Sequence, residues 1–119
     1  MELLVGGLDP GVLGDEEIAA PRLLDSDVPN VLRSLVLGRQ LTEQQGIEAM
    51  AGFVQLGITR FVAGSLRPRM WALRHHLSAY DATYVALAEA CGATALLTID
   101  ARLSRAPGLD CAVIVIGHR

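Results

Sequence analysis

The chain has 119 residues, of which 51% are hydrophobic and 4% aromatic, and its ten basic residues are all arginine. This composition excludes a disordered segment, a collagen and a disulfide scaffold, and the length predicts a single domain over residues 1–119. The formal charge of −3 argues against generic binding to nucleic acid, for which an overall basic surface is expected.

Charge is distributed unevenly along the chain. Residues 1–30 hold seven acids and one arginine, whereas residues 60–76 hold four arginines and no acid. The overall acidic balance is therefore compatible with a local basic rim beside an acidic cleft.

The sequence favours neither a membrane protein nor a disulfide-bonded one. No apolar run approaches the roughly 20 residues that a membrane span needs, and Met1–Glu2 places an acid where a signal peptide carries basic residues, so we expect a cytoplasmic protein without membrane contact. Cys91 and Cys111 match no metal-ligand spacing and are too few for a disulfide framework. We expect both to be small core residues without a chemical role.

The first predicted helix covers residues 26–37, where apolar residues recur at helical spacing and Gly38 can end the helix. Because a proline loses nothing where backbone N–H groups lack an intrahelical partner, we expect Pro29 in the first turn. Ser26 is then the predicted N-cap residue.

A second helix is predicted to begin at the capping box formed by Thr42 and Gln45 and to end at Gly57. Residues 58–62 are a weak strand candidate. Beyond them, an apolar stripe at the spacing i, i+4, i+7 and i+11 predicts an amphipathic helix, and its members are Leu66, Met70, Leu73 and Leu77.

The last third of the chain alternates predicted helices with predicted strands. Ser78 and Asp81 form a second capping box, which opens the next helix. Residues 94–99 are a continuous apolar run of strand length, typical of a strand that is covered on both faces of a parallel sheet. A helical turn at 101–105 and a strand at 111–116 follow. Helices between short buried strands predict an α/β architecture.

Three acids occupy positions at which α/β proteins place functional groups. Asp100 directly follows the predicted strand 94–99, and Asp27 and Asp81 lie in the first turns of predicted helices. Each also has a purely structural explanation: Asp100 can cap the turn that follows it, Asp81 can complete its capping box, and Asp27 can complement the helix dipole. Because helix starts and strand ends gather at one edge of an α/β layer, we expect the three carboxylates to converge.

Converging carboxylates require a counter-charge, because two of them about 4 Å apart repel by roughly 4 kcal/mol at an effective dielectric of about 20. Oxygen ligands without His or Cys favour a hard ion, Mg²⁺, for which Mn²⁺ can substitute. The chemistry that such a site supports is hydrolysis of a phosphodiester.

Two motifs carry a family resemblance. S-A-Y-D-A at residues 78–82 and T-x-D-x-R-L at residues 98–103 resemble the VapC toxins of the PIN-domain family, and residues 20–28 resemble the family segment that carries an acid at the start of the second helix. The resemblance implies a PIN-like three-layer α/β sandwich around a short parallel sheet. It also implies a Mg²⁺-dependent endoribonuclease, the toxin of a type II toxin–antitoxin pair, which is homodimeric and is inhibited by a cognate VapB-like antitoxin.

The resemblance also assigns roles to individual residues. Asp27, Asp81 and Asp100 correspond to acids that bind the metal and act in catalysis. Ser78 and Thr98 would hold these carboxylates or their surrounding water in place. Candidate phosphate contacts are Arg102 and the further arginines Arg67, Arg69 and Arg74.

The chain departs from the family at its start. Family members open with a hydrophobic strand that lies centrally in the sheet and ends in an Asp, whereas Met1–Val5 resembles the middle of the helix that follows that strand. Turn-forming glycines and a proline surround Asp9 and Asp15, so neither is expected to replace the missing acid. We therefore expect an N-terminally truncated domain with weakened Mg²⁺ binding, either because the true start lies upstream or because the gene has decayed.

Two functional classes follow from these observations. The first is an active, RNA-cleaving toxin. The second is a catalytically weak PIN-like module that acts mainly through dimer formation and antitoxin binding. A metal-dependent phosphatase or a receiver-like domain is less favoured, because it too would begin with a strand that ends in an acid.

Overall fold

The computed structural model describes residues 2–6, 17–93, 95–98 and 101–115. Within these ranges, two short 3₁₀ turns, Gly64–Leu66 and Ala101–Arg105, accompany the helices and strands. In chain order, these are β1 (Glu2–Gly6), β2 (Glu17–Pro21), α1 (Leu24–Leu37), α2 (Glu43–Gln55), β3 (Ile58–Phe61), α3 (Arg67–Ala72), α4 (Ala79–Cys91), β4 (Ala95–Thr98) and β5 (Val113–Val115).

The five strands form one mixed sheet in the order β3-β2-β1-β4-β5. The outer pairs, β2 with β3 and β4 with β5, are parallel. β1 lies between these pairs and runs antiparallel to both neighbours, with Leu4 opposite Ala19 on one side and Leu96 on the other. The α/β class predicted from the sequence is confirmed.

The prediction that Met1–Val5 belongs to a helix, and that the chain lacks a central strand, is wrong. Residues 2–6 form β1 and occupy the middle of the sheet. A run of five residues is too short for periodicity to distinguish a strand from a helix, whereas strand pairing on both sides satisfies the backbone groups of β2 and β4. Asp9 and Asp15 lie outside the described residues.

α1 begins earlier than the sequence predicts. Ser26 is not the N-cap residue, because its backbone N–H donates to the Leu23 carbonyl at 3.0 Å and the helix already starts at Leu24. Pro29 accordingly lies inside the helix. Leu24 is fully buried, so the early start places an apolar side chain in the core directly after β2. The predicted end is confirmed, since Gly38 is the C-cap residue.

The capping box of α2 is confirmed atom by atom. Thr42 Oγ1 accepts from the Gln45 backbone N–H at 3.0 Å, and Gln45 Oε1 accepts from the Thr42 N–H at 2.8 Å. α2 then packs against α1 at Gly46, where a Cβ atom would come within 2.8 Å of Val36 Cγ2. Glycine at this position therefore lets the two helices approach closely.

α4 forms the centre of the core, with every residue from Ala82 to Ala88 buried. It packs against β1, β2 and β4, and α3 packs against α4 in turn. The apolar stripe before α4 is buried as predicted, because Leu66 and Leu73 are buried and the other two members pack against the core. The single helix predicted over the stripe is wrong, since the stripe runs through the turn Gly64–Leu66, α3 and the turns after Ala72. None of the helices within the described ranges combines the length and hydropathy of a membrane-spanning segment.

The two cysteines differ in their surroundings. Cys91 is exposed at the end of α4, so its predicted place in the core is wrong, whereas Cys111 is half-buried and packs against the core. Both thiols are free. Burial raises the pKa of the Cys111 thiol, and the negative charges of Glu89 and Asp110 act in the same direction. A raised pKa disfavours the thiolate, which is the reactive form of a cysteine.

Candidate active site

Asp27 is held in place by a buried tyrosine of another helix. It lies half-buried in the first turn of α1, and its Oδ2 accepts a hydrogen bond from the Tyr84 hydroxyl at 2.7 Å. Tyr84 belongs to α4 and is only 1% exposed. A buried phenol requires a hydrogen-bond partner, so this bond both satisfies Tyr84 and fixes one oxygen of the Asp27 carboxylate.

Asp81 is positioned through its backbone. Ser78 is the N-cap residue of α4, and its Oγ accepts from the Asp81 backbone N–H at 3.1 Å. The Asp81 carboxylate is half-exposed and forms no hydrogen bond or ion pair with any described residue. Its structural explanation as the acidic half of a reciprocal capping box is therefore wrong. The serine supplies the cap, and the carboxylate is left for another partner.

Asp27 and Asp81 line the same cavity, which we call the acidic cavity. Its volume is about 630 Å³. The first turns of α1 and α4 form most of its walls. The hydrogen bond between Tyr84 and Asp27 connects these two helices. The remaining lining residues are Leu23, Ser26, Asn30, Val31 and Tyr80. The structure thus brings together two of the three carboxylates that the sequence singles out.

The third predicted carboxylate, Asp100, lies outside the described residues. Thr98, the last residue of β4, is fully buried two positions before it. Within the described ranges, no group of three or more His, Cys, Asp and Glu side chains gathers to hold a metal ion. The described part of the site therefore contributes two carboxylates, whose oxygen atoms are the donors that Mg²⁺ and Mn²⁺ prefer.

A second cavity of about 490 Å³ adjoins Asp81 on its other side, and we call it the basic cavity. Arg102 and Arg105 line it together with His76 and Ser78. Both arginines are exposed. Asp81 thus lies between an acidic and a basic cavity. The arginines of the basic cavity are not those of the basic run at residues 60–76, from which a basic rim was expected.

The other candidate phosphate contacts are engaged locally. Arg69 Nε and Nη2 donate to the two carboxylate oxygens of Glu89 at 2.7 and 3.0 Å, and Nη2 also donates to the Gly108 carbonyl at 2.7 Å. Its predicted phosphate contact is thereby replaced by a structural role. Arg74 stacks over the Trp71 ring at 4.5 Å, and Arg67 Nε donates to a backbone carbonyl of the preceding turn at 3.3 Å.

Tyr84 is the residue of the site that sequence reasoning missed. Its position on the apolar face of α4 predicts that the ring is buried, and the ring is buried. Helical spacing does not reveal which residue bonds to the hydroxyl. The available signal was chemical: a tyrosine on an otherwise apolar face needs an acceptor, and the acid three residues before it marks where α4 meets the site.

Comparison with known proteins places these residues in a family. No protein-family model matches the chain, and no solved structure is significantly similar to it. Ribonuclease VapC9 of Mycobacterium tuberculosis is 38% identical over 114 residues, which cover 96% of this chain and 89% of that protein. Ribonuclease VapC1 of the same organism is 39% identical over 110 residues, covering 89% and 80%, and ribonuclease VapC12 is 30% identical over 96 residues, covering 81% and 74%. At this identity and coverage, the chain belongs to the VapC ribonuclease family.

Proposed function

We propose that the chain is a metal-dependent endoribonuclease that hydrolyses RNA phosphodiesters as the toxin of a toxin–antitoxin pair. The observation that carries the proposal is the acidic cavity, in which Asp27 and Asp81 meet without an ion pair to any described residue. Membership of a family whose relatives are named ribonucleases supports the class of reaction.

Two carboxylates that line one cavity can hold a cation together, because carboxylate oxygens are the donors that Mg²⁺ and Mn²⁺ prefer. Asp27 and Asp81 would hold Mg²⁺ or Mn²⁺ together with Asp100. When bound, the ion would stabilise negative charge on the phosphodiester and make water a better nucleophile.

The chain's own residues contribute orientation and charge. The Tyr84 hydroxyl fixes one oxygen of Asp27, and the Ser78 cap fixes the start of α4 and with it the backbone of Asp81. Arg102 and Arg105 in the basic cavity can bind RNA phosphates beside the acids, since guanidinium groups suit phosphate recognition. RNA would then cross the site from the acidic to the basic cavity.

The proposal that the chain is a toxin includes two partners, an antitoxin and a second copy of the chain, and a cytoplasmic location. A cognate VapB-like antitoxin would inhibit the enzyme, and the chain would act as a homodimer. Both remain proposals that rest on family membership. The cytoplasmic location expected from the sequence also stays a prediction.

The proposal is tested by neutralising acids that differ in their surroundings. Asp81→Asn and Asp27→Asn should each lower Mg²⁺-dependent cleavage of RNA about 100-fold or more, because each removes one charged ligand of the ion that would stabilise negative charge on the phosphodiester. Asp25→Asn is the matched control, since Asp25 lies in the same first turn of α1 as Asp27 but pairs with Arg60. The control should retain nearly full activity.

Two outcomes would contradict this proposal. Undiminished cleavage by Asp81→Asn would show that the acidic cavity is not the active site. A purified wild-type chain that cleaves no RNA with either Mg²⁺ or Mn²⁺, yet co-purifies with its antitoxin, would favour the catalytically weak binding module instead.

A further inference from the structure

An apolar cavity lies directly beside the acidic one, and we call it the side cavity. Its volume is about 270 Å³, and it shares Leu23 and Tyr80 with the acidic cavity. Its other walls are largely apolar and include Pro21, Phe61 and Met70. The volume falls below the roughly 300–1,000 Å³ of pockets that hold drug-sized ligands, so it suits a single ring system.

Two aromatic side chains at the side cavity are exposed. Tyr80 is 66% and Phe61 38% exposed, and together they make up two of the five aromatic residues of the chain. Exposed aromatic rings indicate a binding surface when they line the same cavity. Both rings line this cavity, whereas Trp71, which is 68% exposed, lines neither the side cavity nor the acidic cavity.

The walls of the side cavity are fixed by the segments that carry the acids. Tyr80 immediately precedes Asp81 in the first turn of α4. Phe61 ends β3, and its carbonyl accepts from the Arg22 backbone N–H at 3.0 Å, which ties it to the segment that leads into α1. Arg22 is exposed at the side cavity and its side chain forms no hydrogen bond or ion pair with a described residue. A ligand in this cavity would therefore keep a fixed relation to both acids.

We propose that the side cavity binds one unstacked base of the RNA next to the phosphodiester held in the acidic cavity, with the base stacked on Tyr80. This proposal rests on the proposed function and identifies the part of the RNA, an unpaired base, that the side cavity binds. Unpaired RNA bases are commonly bound by stacking on aromatic side chains, and an exposed arginine at the rim can bind the adjoining phosphate.

The polar lining predicts weak selection among bases. Apart from the phenol of Tyr80, Thr83 is the one uncharged polar side chain among the described lining residues of the side cavity, and its hydroxyl donates to the Ala79 carbonyl at 2.7 Å. Few groups are thus left to read the edge of a base. Recognition by stacking tolerates every base, because each base has a π-face.

The test measures binding, so that it does not depend on cleavage. The probe is a fluorescein-labelled oligoadenylate of roughly eight nucleotides, compared with an abasic ribose-phosphate oligomer of the same length, by fluorescence anisotropy at fixed salt. The wild-type chain should bind the oligoadenylate about tenfold more tightly than the abasic oligomer. Tyr80→Ala should abolish this difference, whereas Tyr80→Phe and the matched control Trp71→Ala should retain it.

The outcomes separate the base-binding proposal from the proposed function. Asp81→Asn should lose cleavage yet keep the preference for the oligoadenylate. A wild-type chain that keeps this preference but cleaves no RNA overturns only the nuclease proposal. Equal binding of both oligomers by the wild-type chain overturns the base-binding proposal. Unchanged RNA binding by Tyr80→Ala together with weakened binding of the antitoxin would show that the side cavity is a protein contact, and would overturn it as well.

Discussion

Asp25 and Asp27 lie two residues apart in the first turn of α1, yet their carboxylates have different partners. Asp25 forms an ion pair with Arg60 at 2.7 Å, whereas Asp27 accepts from a phenol and has no cation among the described residues. α4 repeats the contrast, because Glu89 pairs with Arg69 at 2.7 Å and Asp81 with no described residue. Each helix thus carries one neutralised acid and one that is not.

The neutralised acids, Asp25 and Glu89, connect elements of the fold to one another. Asp25 connects the start of α1 to the edge strand β3, and Glu89 connects α4 to α3 and to the segment before β5. The two acids without a cation share a cavity instead. Acids that stabilise the fold are thus paired with arginines. Acids of the acidic cavity have no arginine partner among the described residues, and there we expect a bound cation to neutralise them.

Replacing Glu89 should have the largest effect on stability. Glu89→Gln removes the charge from a carboxylate that accepts from Arg69 and, at 2.8 Å, from the Asp110 backbone N–H. We expect a loss of about 1.5–3 kcal/mol in the free energy of unfolding, the usual range for hydrogen bonds to charged groups. Urea denaturation at neutral pH measures this loss.

Glu89 should also make the free energy of unfolding depend on pH. Hydrogen bonds from Arg69 hold the pKa of Glu89 below its usual range. Its contribution is therefore complete above the unfolded-state pKa of about 4.3 and is lost as the pH falls through the lower folded-state pKa. Glu48→Gln, on the exposed face of α2, is the control. Equal stability losses for the two variants at neutral pH would refute a special role for Glu89.

Removing the Tyr84 hydroxyl should have an intermediate effect. Tyr84→Phe deprives Asp27 of its donor, and we expect a loss of about 1 kcal/mol in the free energy of unfolding. Because Asp27 is then less well oriented, affinity for Mn²⁺ should also fall about 10-fold or more, as measured by isothermal titration calorimetry.

A matched variant distinguishes positioning from mere loss of stability. Tyr80→Phe removes a hydroxyl from the same helix that also lines the acidic cavity but forms no hydrogen bond with a described residue, so it should leave Mn²⁺ affinity unchanged. If Tyr84→Phe loses stability but binds Mn²⁺ as tightly as the wild-type chain, Tyr84 fills the core and does not position Asp27.

Local patterns in the sequence predicted local features accurately. The Thr42 capping box, the Ser78 cap and the end of α1 at Gly38 all depend on residues within a few positions of one another. The meeting of Asp27 and Asp81 could also be anticipated, because both lie at helix starts and such starts gather at one edge of an α/β layer.

Features that depend on distant contacts could not be predicted in the same way. The Tyr84–Asp27 bond joins residues 57 positions apart, and the Arg69–Glu89 bond joins residues 20 apart. No periodicity relates such residues, so the sequence offers Arg69 as a candidate phosphate contact and gives no sign that Glu89 is its partner. β1 was missed for the same reason, since its strand state depends on pairing with β2 and β4 and not on its own five residues.

The smallest effect is expected at Asp25, and it tests the comparison most directly. Hydrogen bonds from Arg60 hold the pKa of Asp25 below its usual range, so the pair contributes fully above the unfolded-state pKa of about 3.9 and loses its contribution as the pH falls through the lower folded-state value. Because the pair is exposed, Asp25→Asn should lower the melting temperature only slightly, and 1 M salt should remove the difference. RNA cleavage should be unchanged, since the neutralised acid faces Arg60 and does not line the acidic cavity. A loss of cleavage as large as that of Asp81→Asn would mean that pairing with arginine does not separate structural from functional acids in these helices.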